Sequence, residues 1–223
     1  MRFSQVQQDL NNVKEYLSPI SQAIRIQVAP DDKNITWANR MPGIQNNAYY
    51  PFEYQFCIDN QQYSILLSDG SFFQFFYKFS EEGKLHSARL AYYPCPIPAN
   101  TDTDGLIVGA ENAVDREDEF LFQYLYNWVD ILEATRKGPV NTSHIRFDYD
   151  SKTTAHEPAH MQFGGINNLR LPASFFPLPF AFVELISAAI ENCGKCSAQH
   201  LGHAKNNFLK LAPAIGIISL SNQ

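Results

Sequence analysis

The sequence predicts one α+β domain, an antiparallel sheet built from a meander plus a hairpin and flanked by helices. Three observations predict it. Residues 52–93 hold four short runs rich in aromatic and β-branched residues, separated by tight-turn pairs. Two later segments, 144–150 and 160–163, alternate strictly. Stretches of helical period stand before, between and after these blocks, an order that segregates strands from helices. The 223 residues suit a single domain over 1–223, with an N-terminal helix and the meander in 1–115 and a helix, the hairpin and C-terminal helices in 116–223.

In chain order, Phe3, Val6, Leu10, Val13 and Leu17 follow three-four spacing, so residues 3–17 read as an amphipathic helix with Ser4 as N-cap and Pro19 as the stop. Ile24 to Val28 alternates as a strand, and Ile35 to Ala38 forms another short one. Residues 40–50 lack any period and read as a loop. Four meander strands follow, Phe52–Ile58, Tyr63–Ser68, Phe72–Phe79 and Leu85–Tyr93, with Phe72–Phe79 central and buried on both faces. Their turns are Asp59-Asn60, Asp69-Gly70 and Glu81-Glu82-Gly83. Residues 94–115, with three prolines, form a loop, and its Asp102 and Asp104 lack the rest of a calcium-loop pattern. A helix is expected at about 117–137, with Phe120, Tyr124, Trp128, Ile131 and Leu132 on its apolar face and Gly138-Pro139 at its end. After the hairpin, a proline-punctuated run leads to an apolar helix over 180–192 and a last helix over about 197–211.

The hairpin concentrates the chemistry. His144, Arg146, Asp148 and Asp150 fall on one face of the first strand, and Ile145, Phe147 and Tyr149 on the other. On the return, His160 and Gln162 oppose Met161 and Phe163. Paired antiparallel, the two segments bury Ile145, Phe147, Met161 and Phe163 and gather the polar set opposite. An ordinary solvated face would carry Lys and Glu. Those residues are absent from the alternating polar positions, and the loop adds His156 before Pro158. His144 and His160 supply a proton acceptor and a donor, Arg146 an anion clamp and Asp148 an orienting carboxylate, with Tyr149, His156, Gln162 and Arg170 as binding groups. A metal held by His144, Asp148, His160 and His156 is disfavoured, because the fixed cation of Arg146 stands among them. The set fits metal-free acid–base chemistry at a phosphate better, with no cofactor.

Composition sets bounds. Hydrophobic content of 45% and charged content of 18% describe a globular chain, and no apolar run approaches the length of a membrane span. The N-terminal residues lack the apolar block of a signal peptide, so a cytoplasmic location is expected. A net charge of −6 argues against broad duplex binding but leaves room for a local basic groove. Cys57 and Cys95 read as free thiols in apolar strands. Cys193, Cys196, His200 and His203 invite a zinc reading, yet on one helix they form a single stripe of the kind that faces a core. No metal is expected there.

The run His144 to Gly164, followed by Leu-Arg-Leu-Pro and a proline-rich apolar helix, resembles a bacterial family known only as a domain of unknown function. That likeness implies no reaction. The hairpin is also similar to small toxins of the TumE type, mRNA-targeting members of toxin–antitoxin pairs, which place Arg-x-Asp before a proline-linked histidine pair. The matching positions are Arg146, Asp148, His156 and His160, and Met161-Gln162 departs from the further histidine usual in those toxins. The resulting expectation is a metal-independent, ribonuclease-like effector of a toxin–antitoxin or phage-defence system, acting on RNA beside a protein partner such as an antitoxin. The alternative is a non-catalytic module of a defence complex that uses the same face for a partner or a small anion. Two tyrosine pairs, Tyr49-Tyr50 and Tyr92-Tyr93, taken as exposed, favour the alternative.

Overall fold

Helix α1 (Phe3–Leu17) buries the predicted stripe of Val6, Leu10, Val13 and Leu17. It starts two residues earlier than a Ser4 cap requires, with Arg2 as the N-cap, whose N–H donates to the Gln5 side chain (3.0 Å). A single 3-10 turn over Ser18–Ile20 carries Pro19 and ends it. A computed structural model describes this helix and the rest of residues 1–31, 33–41, 50–96, 141–154, 157–164, 169–187 and 208–211.

The predicted strand at 24–28 is two. β1 (Ser21–Ile24) pairs with β4 (Ile65–Leu67), and β2 (Ile26–Ala29) pairs with β3 (Asn34–Trp37). Arg25 is the junction: its N–H donates to the Ser64 carbonyl while its own carbonyl accepts from Ala38. β5 (Phe72–Phe79) takes β4 and β3 along one side, at opposite ends of its length, and β6 (Leu85–Tyr93) along the other. The sheet continues antiparallel through β7 (Ile145–Asp150), β8 (Ala159–Phe163) and β9 (Arg170–Pro172). The hairpin is therefore real, and β6 and β9 hold it on either side. Gly70, at φ +84°, makes the turn between β4 and β5.

The segment 52–58 is a helix, α2 (Tyr50–Asp59), not the expected strand. Its alternation of apolar and polar residues imitates period two, but Pro51 lies in the first turn, where its missing N–H costs nothing. In the helix Tyr50, Glu53 and Cys57 share the buried side. Cys57 is thus a helical residue, a free and buried thiol.

One sheet face is the main core. Phe73, Phe75, Tyr77 and Phe79 of β5, Leu90 and Tyr92 of β6 and Phe147 of β7 pack there against α1 and α3 (Pro179–Ile186). The two helices are tied by the buried Asp9 carboxylate, which accepts the Phe180 N–H (2.7 Å) at the start of α3. Of the hairpin residues expected in the core, Phe147 is fully buried, while Ile145, Met161 and Phe163 are half-buried. β10 (Phe175–Pro177) pairs with β11 (Phe208–Lys210), so the tail of the last predicted helix is a strand instead. Tyr92 and Tyr93 belong to β6 and Tyr50 to α2, and all three are buried, not exposed on loops. The helix expected at 117–137, the aspartates Asp102 and Asp104, Tyr49 and residues 188–207 lie outside the described residues.

Candidate anion-binding site

The opposite sheet face is polar over β6 to β9. The register sets Arg89, Asp148 and His160 side by side across β6, β7 and β8, and Arg146, Gln162 and Arg170 in the next row across β7, β8 and β9. Period two puts all six on one face. They line a concavity of about 270 Å³ together with Arg40, Phe76 and Asp150.

Asp148 is its centre. Arg89 Nε donates to Oδ1 (2.9 Å) and Arg146 Nε to Oδ2 (2.7 Å). Burial opposes ionisation of Asp148, but the two guanidiniums outweigh it and hold the carboxyl below its usual range. Arg146 also donates to Gln162 Oε1. Because arginine only donates, Gln162 must turn its oxygen to Arg146 and its NH2 toward His160, whose Nε2 lies 3.2 Å away. Asp148 Oδ2 stands 3.8 Å from the same nitrogen.

Arg40 completes the set from the residues after β3. Its guanidinium lies 4.0 Å over the Phe76 ring and 5.5 Å from the Trp37 ring. Burial and the nearby Arg89 charge lower its pKa, though an arginine stays protonated at neutral pH. Four arginines thus face Asp148 and the exposed Asp150. Such a surplus of fixed cations suits an anion with several oxygens.

His144 lies on this face but outside the concavity. α2 covers it, and its Nδ1 is 3.1 Å from Glu53 Oε2. The other carboxylate oxygen of Glu53 accepts the Tyr93 hydroxyl (2.9 Å). Burial first, and the Glu53 charge second, push the Tyr93 phenol well above its ordinary pKa, so it remains a donor. Glu53 and His144 are 7% and 6% exposed. Gly164 seals the unit, since a Cβ there would sit 2.7 Å from two atoms of the His144 ring. The expected partnership of His144 with His160 therefore gives way to a buried Glu53–His144–Tyr93 unit that joins α2 to the sheet.

Tyr149 borders the concavity as a residue of β7. Its ring packs 5.7 Å from Phe176. Arg146, Asp148, His160, Gln162 and Arg170 are brought together as expected, while His156 and the Cys193, Cys196, His200 and His203 set lie outside the described residues. Among the described residues no group of three or more His, Cys, Asp or Glu side chains is placed to hold a metal ion. No helix among them is long and apolar enough to cross a membrane. A second concavity, about 460 Å³, lies beside Leu85, His86, Tyr149 and Ser151. It is larger but more apolar, and it lacks the convergent charges of the arginine pocket.

Sequence reasoning missed Arg40, Glu53, Phe76, Arg89 and Tyr93. The signal for Arg89 was present, because Ser87, Arg89, Ala91 and Tyr93 alternate with Ala88, Leu90 and Tyr92. Glu53 was hidden by the strand reading of α2.

No curated protein and no solved structure matches the chain. A family model described as an uncharacterized conserved protein does, over residues 19–190, a span from the turn after α1 to just beyond α3 that includes the whole polar face. The chain belongs to this family of uncharacterized conserved proteins, DUF2290.

Proposed function

We propose that the arginine pocket grips a phosphodiester and that the protein is a metal-independent, ribonuclease-like effector of a toxin–antitoxin or phage-defence system, working beside a protein partner. The observation that carries the reading is the convergence of Arg40, Arg89, Arg146 and Arg170 beside His160, whose Nε2 faces the Gln162 side chain. Arg146 and Arg89, already oriented by Asp148, stabilise charge developing on the phosphoryl oxygens without reorganising. The RNA 2′-hydroxyl replaces the Gln162 amide at His160 Nε2 and gives up its proton there. Its oxygen bonds to phosphorus as the bond to the 5′-oxygen breaks, and the departing oxygen takes a proton from water.

A second reading has its own support. With His144 engaged by Glu53, His160 is the one histidine among the described residues that lines the pocket, which suits a module that binds an anion or a partner without chemistry.

The test is growth arrest on expression, followed by incubation of purified protein with total RNA in EDTA. His160→Ala should reduce cleavage roughly 100- to 10,000-fold, the usual contribution of a positioned acid or base. Arg146→Lys should fail as well, since a point charge does not reproduce a planar fork. Toxicity unchanged in both variants would move the active surface elsewhere. RNA left intact, with an anion or partner lost in both variants, would establish the binding module.

A further inference from the structure

The concavity is asymmetric, and the chemistry above assigns no step to Arg40 itself. At one end stand Arg89, Arg146 and Arg170, and at the other the Arg40 guanidinium lies over the half-buried Phe76 ring, 4.0 Å from its centre. Arg40 Nε has no hydrogen-bond partner, and no carboxylate pairs with this cation among the described residues. Its position is instead fixed by the Phe76 and Trp37 rings. A planar cation pinned to an aromatic ring is a platform for another flat group, and nucleobases stack on arginine planes and aromatic rings alike.

Phe76, Arg89 and Asp148 are successive partners across β5, β6 and β7. Strand spacing sets the platform roughly 5–10 Å from the guanidiniums that hold Asp148. That is the reach of one nucleotide from base to phosphate. A base inside a duplex is already stacked on both sides and is not available to such a platform. The 270 Å³ concavity also falls at the small end of ligand sites, so it holds one unit and not two.

We infer that the pocket takes a single nucleotide unit of single-stranded RNA, its base on the Arg40–Phe76 stack and its phosphate among Arg89, Arg146 and Arg170. The inference rests on the phosphodiester reading above and adds recognition of the base. Calorimetric titration of the whole protein with inorganic phosphate, ribose 5-phosphate, uridine 5′-monophosphate and adenosine 5′-monophosphate tests it. The nucleotides should bind roughly 10-fold tighter than ribose 5-phosphate, as expected for one stacked base. Phe76→Leu should erase that preference while leaving ribose 5-phosphate affinity unchanged, and Phe76→Tyr should keep it. Equal affinity of wild-type protein for nucleotides and ribose 5-phosphate overturns base recognition and leaves phosphodiester binding standing. If none of the four ligands binds, both readings fall.

Discussion

Replacing Asp148 by asparagine tests whether the pocket's charges converge as the geometry says. The amide preserves the shape of the side chain but removes the charge that Arg89 and Arg146 share. Asp148 and Arg146 are each 15% exposed and Arg89 30%, so the loss is felt in a partly dry setting. Removing one partner of a buried pair typically costs roughly 3–5 kcal/mol, and the partial exposure of Arg89 places this case near the low end, on the order of 3 kcal/mol. For a chain of this size that corresponds to a fall in Tm of roughly 6–12 °C.

The pH dependence supplies an independent check. The folded carboxyl has a depressed pKa, so its stabilisation is complete above the unfolded value of about 3.9 and disappears as pH falls through the lower, folded value. Urea titrations of wild type and Asp148→Asn should therefore differ by a constant amount between about pH 5 and 8, with the gap closing below about pH 4. Phosphate should restore part of the variant's stability, because an anion bound to the folded state replaces the missing charge. A gap below about 1 kcal/mol at neutral pH would place both guanidiniums in solvent and refute the reasoning.

Three further outcomes follow from the packing. Gly164→Ala should destabilise by about 1–3 kcal/mol in denaturant titration, since the new methyl meets a buried His144 ring that α2 prevents from moving. Asp9→Ala should cost about 0.5–2 kcal/mol, read as a lower urea midpoint, because the start of α3 loses the carboxylate that accepts the Phe180 N–H. Burial, with a smaller contribution from the Glu53 charge, pushes the Cys57 thiol up to about 12, so it should stay unreactive to a thiol reagent at pH 8 in native protein and react once urea is added.

The elements that the sequence revealed are those whose burial repeats with their own geometry. α1 showed its stripe because one side alone is buried, and β7 and β8 showed alternation because one face packs on Phe175 and Phe176 while the other is polar. α2 was misread because its contacts are set by tertiary position: Tyr50, Glu53 and Cys57 meet Tyr93, His144 and Gln74, residues far away in the chain. The site was legible to the same extent. Arg146, Asp148, His160, Gln162 and Arg170 come from adjacent strands of one local unit, so pairing follows from alternation. Arg89 enters on β6 and Arg40 from the residues after β3, a strand that pairs with β5, and no local spacing says that either reaches the hairpin's polar rows. His144 alternated correctly but met a helix that sequence reading had not drawn.

The pocket gathers four arginines in a chain of net charge −6, and the salt dependence of binding should record which charges act on a bound anion. Glu81 and Glu82 are 97% and 72% exposed, and the field of such solvated acids fades over a Debye length of about 8–10 Å. Arg89, Arg146 and Arg170 act on a bound phosphate directly. Asp148 neutralises one of these three charges, so a single-stranded ligand displaces few counterions on binding. At roughly −0.7 per neutralised phosphate, one to three contacts give a slope of log K against log salt between about −0.7 and −2. Fluorescence anisotropy of a labelled oligoribonucleotide across a salt series measures it. A slope beyond about −4 would require an extended cationic track, and the described surface around the pocket offers no such run of lysine and arginine. Such a result would place the main RNA contact outside the arginine pocket, and the pocket would then have to be tested with small anions alone.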